Sequence, residues 1–302
     1  MYICYKEGDS MKIGFIGAGK MGFTLGKHLK LYEEKLADKD GNKLYQIVGY
    51  YSKSVASSNC AAKFTDTHYY ESIKELVQCC DAIILTVPDG AIGEVVNQLT
   101  TLDGLLEGKI LCHTSGALSS QIFSGIGNQV YGYSIHPIYA VSSKTESYIN
   151  FSQAFITIEG HGKYIKQLGD IFTNIGHKVK VISSDNKVKY HSGAVFASNL
   201  VIGLFKMATD ILGQCGFSEE EAMMALKPLF INNSKKLYES NPEEAMTGPI
   251  ERGDDYTINK HLQTLDERYK TVYKILSREL VDIASKKNEK DYDRILELLE
   301  EM

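Results

Sequence analysis

Three side chains that could hold or move a proton recur at helical spacing in the second half of the chain. Lys187 and His191 are four residues apart, which places them on one face of a helix, and Asn199 follows about two turns after His191. Reduction of a carbonyl or an imine leaves an atom that must receive a proton from a positioned acid. We therefore predict that these three residues form a catalytic face. The alternative for His191 is a buried histidine bonded to backbone.

Two further histidines stand at the ends of predicted strands. His113 ends one strand and is followed by Ser115, and His136 ends the next strand before Pro137. Ligands of open parallel sheets bind at this carboxyl edge. We predict that His113 joins the catalytic group and that Ser115 and His136 bind substrate. A histidine at a strand end is also a common turn residue, which is the alternative for both.

The segment TGPIERGD, residues 247–254, joins two predicted helices. Its glycine and proline suit a loop, but a loop does not require Arg252 or Asp254. The guanidinium of Arg252 could bind a substrate carboxylate through two hydrogen bonds while Asp254 orients it. The alternative is an ion pair that braces the loop.

An apolar strand that runs straight into a glycine-rich turn, MKIGFIGAGKMG, begins the elements that must position these side chains. Gly17 allows a tight turn, Gly19 lets the backbone approach a pyrophosphate, and Gly22 lets the next helix pack against the strand. The positive end of that helix attracts phosphate. The sequence therefore predicts a dinucleotide site. The predicted contacts in this turn are Gly17, Gly19, Lys20, Met21 and Gly22.

The end of the second predicted strand, residues 46–51, sets the expected choice of cofactor. A carboxylate at this place binds the ribose hydroxyls of NAD, whereas a basic or hydroxyl residue accepts the 2′-phosphate of NADP. The chain has Ser52, Lys53 and Ser54 there, and no acid. NADP is therefore favoured over NAD, with a solvated charge as the alternative for Lys53. Val87 ends a later predicted strand and Pro88 stops it, at the place where the chain is expected to pass beneath the cofactor.

The order of predicted elements indicates an α/β fold. Strands and helices alternate up to Ser183, as in a Rossmann-type, doubly wound, mostly parallel sheet, and an all-helical C-terminal domain follows. We place the dinucleotide-binding domain at 11–183 and a helical substrate and dimerisation domain at 184–302. The helical half is predicted to contain long helices over 187–215, 218–240 and 261–286. A polar stretch between Leu36 and Lys43 is predicted to be a surface loop.

Composition excludes several other classes of protein. The chain has 302 residues, a net charge of -5 and no block of lysine or arginine, which disfavours nucleic acid as a partner. Six cysteines without CxxC spacing indicate reduced thiols and no metal site. No segment is expected to reach the length of a membrane span, so we expect a cytoplasmic protein. Helices this apolar in so small a domain also predict a homodimer.

Several segments together resemble a known family. In order, the glycine-rich turn, VPDGAI, HTSGA, HP, KVKYHSGAVFASN and TGPIERGD are similar to two-domain Rossmann-like proteins with a helical C-terminal domain of unknown function. These resemble pyrroline-5-carboxylate reductase and the β-hydroxyacid dehydrogenases, with a C-terminal domain like that of 6-phosphogluconate dehydrogenase. In β-hydroxyacid dehydrogenases a lysine one turn before an asparagine carries the acid role. Here Val195 takes that place, and the resemblance transfers the role to His191. Ile138, Tyr139 and Ala140 follow His-Pro where the family commonly has a glutamine.

The resemblance and the residues together predict an NADP-dependent oxidoreductase. It would transfer a hydride between nicotinamide and a small, carboxylate-bearing carbonyl or imine substrate. One alternative is a non-catalytic NADP-binding sensor or partner-binding protein, because a fold does not guarantee chemistry. Another is a deazaflavin-dependent NADP reductase, which would need a second cofactor face and no proton donor.

Overall fold

The computed structural model of the chain describes residues 10–36, 43–102, 104–127 and 129–300. The strands are β1 (Met11–Ile16), β2 (Tyr45–Tyr51), β3 (His68–Tyr69), β4 (Ala82–Leu85), β5 (Ile110–His113), β6 (Tyr131–Ile138), β7 (Phe155–Gly160) and β8 (Val179–Val181). The helices are α1 (Lys20–Glu33), α2 (Val55–Thr65), α3 (Ile73–Cys79), α4 (Asp89–Thr100), α5 (Gly162–Asn174), α6 (Lys187–Phe196), α7 (Asn199–Gln214), α8 (Glu219–Glu239), α9 (Pro242–Ala245), α10 (Pro249–Arg252), α11 (Asp255–Thr264), α12 (Glu267–Lys287) and α13 (Asp293–Glu300). Most of the surface loop predicted between Leu36 and Lys43 lies outside the described residues.

The eight strands form one sheet in the order β3-β2-β1-β4-β5-β6-β7-β8. All neighbouring strands are parallel except β6 and β7, which run antiparallel. Strand order reverses direction between β1 and β4, which is where open sheets of this kind bind ligands. The predicted Rossmann-type, mostly parallel sheet is confirmed.

Helices cover both faces of the sheet because its strands are apolar on both sides. All four residues of β4 are buried, and alternate side chains enter two separate cores. Ile84 packs in the core beneath α1, α2 and α5, whereas Ile83 and Leu85 pack in the core beneath α3 and α4. Strand β4 is therefore packed between two layers of helices in the middle of the sheet.

The chain divides into two compact units, Met1–Ser198 and Asn199–Met302. The sequence placed the boundary near Ser183, before α6. The division falls later because α6 is tied to the sheet by two long side chains. Lys187 bonds to residues that follow β5 and lie in β6, and Tyr190 bonds to β6 and β7.

Two of the long helices predicted from the apolar spacing are each divided in the structure. The helix predicted over 187–215 is α6 and α7, because the backbone tightens at the end of α6, where the Ser198 amide donates to the Val195 carbonyl. The helix predicted over 261–286 begins earlier, as α11, and is interrupted at Leu265, whose backbone is extended. Apolar spacing continues through both interruptions, so periodicity alone could not find them.

The second unit has its own core, formed by α10 to α13 around Ile258, Leu262 and Ala284. Helices α7 and α8 leave large apolar side chains exposed. These include Leu200, Ile202, Leu204, Met224, Leu229, Phe230 and Ile231.

One helical stretch among the described residues, Ser184–Gln214, is long and apolar enough to cross a membrane by length and composition alone. The expectation that no segment reaches this length is therefore wrong by that criterion. The stretch includes α6, which is bonded to the sheet, and the break before α7.

Candidate functional site

The glycine-rich turn lies directly against the end of β4. Gly17 has a φ of 114°, which favours glycine, and a Cβ there would lie 2.8 Å from the Thr86 carbonyl carbon. The Thr86 hydroxyl donates to the Gly17 carbonyl at 2.8 Å. A Cβ on Gly22 would lie only 2.4 Å from that same carbonyl oxygen. Both glycines therefore occupy positions that no larger residue fits, as the dinucleotide fingerprint requires.

The start of α1 is open to an anion. Gly19 precedes the helix without a side-chain cap, and the first turn, which begins with Lys20 and Met21, contains no acidic residue. A Cβ on Gly19 would meet only the Thr86 carbonyl oxygen, at 3.9 Å. The first amide groups of α1 are thus available to a pyrophosphate.

Lys53 follows β2, and its ammonium contacts a carboxylate that the sequence did not point to. The Nζ of Lys53 lies 2.7 and 2.8 Å from the two carboxylate oxygens of Glu94 on α4, and both side chains are exposed. Ser54 caps α2 by accepting a hydrogen bond from the Ser57 amide. Glu94 is separated from Lys53 by 41 residues, so only the fold reveals the pair.

A buried polar cluster occupies the ends of β5 and β6. The Ser115 hydroxyl donates to Asp89 at 2.6 Å and accepts from the amides of Ala117 and Leu118. Asp89 is the first residue of α4, directly after Val87 and Pro88. Hydrogen bonds thus connect the helix that follows β4 to the turn that follows β5.

His113 is completely buried, and both of its ring nitrogens are occupied within the turn after β5. Nδ1 accepts from the Ser115 amide at 3.2 Å, and Nε2 lies 3.2 Å from the Ser119 carbonyl, to which it can only donate. Burial is the main cause that lowers the pKa of His113, which keeps it neutral. His113 therefore stabilises this turn, as the turn-residue alternative for it requires.

Lys187 is also buried, with 1% of its surface exposed. Its ammonium donates to the Ser115 carbonyl at 3.0 Å and to the Ser134 hydroxyl at 2.6 Å. Burial lowers the pKa of Lys187 to about 8, against the opposing charges of Glu159 and Asp89. The ammonium of Lys187 therefore places a positive charge against the turn that contains Ser115.

His136 and His191 face each other across Gly116. Their ring centroids are 5.6 Å apart, and a Cβ on Gly116 would lie 2.3 Å from His191 Nδ1 and 2.9 Å from His136 Nε2. His191 Nδ1 is buried and has no hydrogen-bond partner among the described residues. Burial, Lys187 and His191 lower the pKa of His136 to about 4, so its ring is neutral at pH 7. Because Gly116 has no Cβ, the rings of His136 and His191 can both lie against its backbone.

The remaining predicted site residues belong to the second unit. Asp254 caps α11 by accepting from the amide and hydroxyl of Thr257, and these bonds lower its pKa. Arg252 is largely exposed and lies 3.9 Å from Asp254. That contact is what the loop-bracing alternative predicts. Asn199 is the first residue of α7.

Four residues of this site were not singled out from the sequence: Asp89, Glu94, Ser134 and Tyr190. Asp89 could have been found, because it follows the strand end in VPDGAI. Tyr190 lies three residues after Lys187, so the helical spacing places it on nearly the same face. No local signal identifies Glu94 or Ser134.

Comparison with known proteins agrees with the fold and with the family resemblance. Residues 6–137 match a Rossmann-like domain, and residues 154–280 match a domain of unknown function, DUF2520. The chain joins a Rossmann-like domain to a DUF2520 domain. No curated protein matches the sequence.

Solved structures share the fold at low identity. A Thermotoga maritima protein has a TM-score of 0.71 at 23% identity, covering 91% of this chain and 99% of its own. A Bacteroides fragilis protein provisionally named an NADP oxidoreductase has a TM-score of 0.64 at 23% identity, covering 90% and 98%. A Plasmodium falciparum pyrroline carboxylate reductase with NADP bound has a TM-score of 0.57 at 17% identity, covering 92% and 97%.

Proposed function

We propose that the protein is an NADP-dependent oxidoreductase acting on a small, carboxylate-bearing carbonyl or imine substrate. One observation carries the proposal. The glycine-rich turn and the buried polar cluster lie along the same edge of the sheet, and the segment from Thr86 to Asp89 connects them through hydrogen bonds. Thr86 bonds to the turn, and Asp89, three residues later, bonds to Ser115. In folds of this kind a dinucleotide extends across this edge, which brings its nicotinamide end towards the cluster.

The cofactor would be held by residues that the turn and the strand ends provide. Gly17, Gly19 and Gly22 leave space for a pyrophosphate, and the start of α1 is free of carboxylates. Lys20 and Met21 begin that helix, Ser52, Lys53 and Ser54 follow β2, and Val87 and Pro88 lead into α4. When bound, the dinucleotide supplies or accepts the hydride. Lys53 would bind the 2′-phosphate, which distinguishes NADP from NAD.

We assign the proton-donating role to His191 and the binding of the reacting group to Ser115 and His136. His191 Nδ1 is buried without a partner, which is costly unless a ligand or a proton transfer makes use of it. Lys187 contributes a buried positive charge that stabilises negative charge developing nearby. Asn199, Arg252 and Asp254 stay candidates for the substrate site, and His113 supports the turn.

The test is turnover of NADPH with a panel of ketoacids, aldehydes and cyclic imines, with NADH measured in parallel. We expect oxidation of NADPH by at least one carboxylate-bearing substrate and weaker use of NADH. Tight binding of NADPH without turnover of any substrate would favour a cofactor-binding sensor. The hydrogen bonds that engage both nitrogens of His113 support that second function, because each nitrogen already has a partner within the turn.

We also propose that the protein is a cytoplasmic homodimer formed through the helical unit. The exposed apolar side chains of α7 and α8 support this, since large apolar patches usually mark interaction surfaces. Sedimentation at micromolar concentration tests it, and a monomer there would remove the proposal.

A further inference from the structure

Tyr190 connects helix α6 to two strands of the sheet. Its phenol oxygen lies 2.7 Å from His136 Nδ1 in β6 and 2.9 Å from the Thr157 hydroxyl in β7. The side chain is half-buried, and burial raises the pKa of Tyr190, so the phenol keeps its proton. His136 and Thr157 are paired opposite each other in the antiparallel register of the two strands. Tyr190 thus bonds to both members of one cross-strand pair.

The number of available protons limits how these groups can bond. The Thr157 hydroxyl has one proton and two acceptors in reach, the Tyr190 oxygen at 2.9 Å and the His136 carbonyl at 3.2 Å. If Thr157 donates to Tyr190, the phenol donates to His136 Nδ1. If Thr157 donates to the carbonyl, the phenol donates to Thr157, and His136 Nδ1 must donate to the phenol. The geometry of the contact makes Thr157 the donor to the Tyr190 oxygen, which selects the first arrangement.

The first arrangement fixes the tautomer of His136. A neutral imidazole that accepts at Nδ1 has its single proton on Nε2. This nitrogen lies 2.9 Å from the position of a Cβ on Gly116, on the side where His191 Nδ1 also lies. The nitrogen that faces His191 and Gly116 is therefore the one that holds the proton.

We propose that Tyr190 is a positioning residue that holds His136 as the Nε2–H tautomer, so that its neutral ring donates a hydrogen bond to the substrate. The identity of the substrate atom rests on the proposed function, whereas the tautomer does not. An N–H donor suits a carbonyl oxygen, which gains negative charge as a hydride is added, and it does not suit the N–H of a protonated imine. Carbonyl compounds are therefore the favoured substrate class.

Nitrogen NMR of protein labelled in its histidines tests the tautomer without cofactor or substrate. Loss of signals in His136→Gln assigns the ring. We expect Nδ1 of His136 in the unmodified protein to resonate as an unprotonated nitrogen and Nε2 as a protonated one. In Tyr190→Phe the two resonances should move towards each other, because the donor that selects the tautomer is gone. A protonated Nδ1 in the unmodified protein would overturn the proposal.

Kinetics on an active carbonyl substrate tests the consequence. Tyr190→Phe should lower kcat about tenfold or more, with a small change in KM. Tyr139→Phe is the matched control, because Tyr139 packs against Phe151 in the same unit. If Tyr190→Phe does not fold, Thr157→Val removes the donor that obliges the phenol to donate to His136 Nδ1. Both tautomers of His136 then become accessible, and kcat should fall by a smaller factor. An unchanged kcat in the folded variants would refute the role.

The two proposals can fail separately. The expected tautomer in a protein that turns over no substrate would contradict the oxidoreductase proposal and leave the positioning of His136 intact. The reverse tautomer in an active enzyme would contradict only the positioning.

Discussion

Lys187 is buried with a positive charge, and its replacement should change how stability depends on pH. The pKa of Lys187 falls from an ordinary 10.5 to about 8, chiefly because the side chain is buried. Between these two values the unfolded chain binds a proton that the folded chain has released. The free energy of unfolding therefore rises with pH through this interval, and below pH 8 the folded state bears the full cost of the buried charge.

The size of the effect follows from the same shift. From about 8 to 10.5 the wild type should gain about 3.5 kcal/mol relative to a variant that lacks the group, at ~1.4 kcal/mol per pH unit. Lys187→Met is the suitable variant, because methionine is similar in length and has no charge. Ser134 donates to the Ser115 carbonyl at 3.1 Å, so that carbonyl keeps a partner when the ammonium is removed.

Urea unfolding at pH 7, 8, 9 and 10, followed by circular dichroism, measures this difference. Subtracting the variant from the wild type at each pH removes the titration of all other groups. Lys189→Met, on the exposed side of the same helix, is the matched control for the loss of a lysine side chain from α6. A constant difference between wild type and Lys187→Met from pH 7 to pH 10 would refute the reasoning, since it would mean that Lys187 titrates as an exposed lysine does.

Three further changes test the candidate site. Lys53→Glu should weaken the binding of NADPH at least tenfold and change the binding of NADH little. Glu94→Gln should strengthen the binding of NADPH, because it releases Lys53 from its ion pair. Titration of each variant with both cofactors measures these affinities. His191→Ala should lower turnover about a hundredfold with NADPH affinity nearly intact, and a loss of thermal stability at an unchanged rate would instead show that the ring only packs. Gly22→Ala should weaken the binding of NADPH at least tenfold, because the added Cβ would lie 2.4 Å from the Gly17 carbonyl oxygen. Gly93→Ala is its control and should bind NADPH normally, because a Cβ there would meet no atom within 4 Å apart from the chain neighbours and nearby backbone of its own helix.

The architecture could be predicted from the sequence because its determinants are local. A buried strand, a glycine turn and an amphipathic helix are each read within a dozen residues. The short strand β3 was not predicted, because two residues have no detectable periodicity. The breaks after α6 and α11 were missed for a related reason, since apolar spacing continues through each.

The candidate site could be predicted only as a collection of residues at one sheet edge. Strand ends identified His113, Ser115 and His136, but not which of their nitrogen and oxygen atoms are free. Lys187 was expected on a catalytic helix face beside His191, and its ammonium is buried against Ser115, 72 residues earlier. Contacts over such separations depend on how the strands are ordered in the sheet. Local sequence does not contain that order.

The antiparallel strand β7 has a consequence for how the molecule can be divided. The Rossmann-like match ends at residue 137 and the DUF2520 match begins at residue 154, so β7, β8 and α6 fall within the second sequence family. They nevertheless complete the sheet of the first unit and contribute Thr157, Lys187 and Tyr190 to the cluster around His136 and Ser115. Recombination at the junction of the two families would expose β6 as an open edge and separate His136 from the groups that orient it. The two sequence families should therefore be inherited together, as one indivisible evolutionary module.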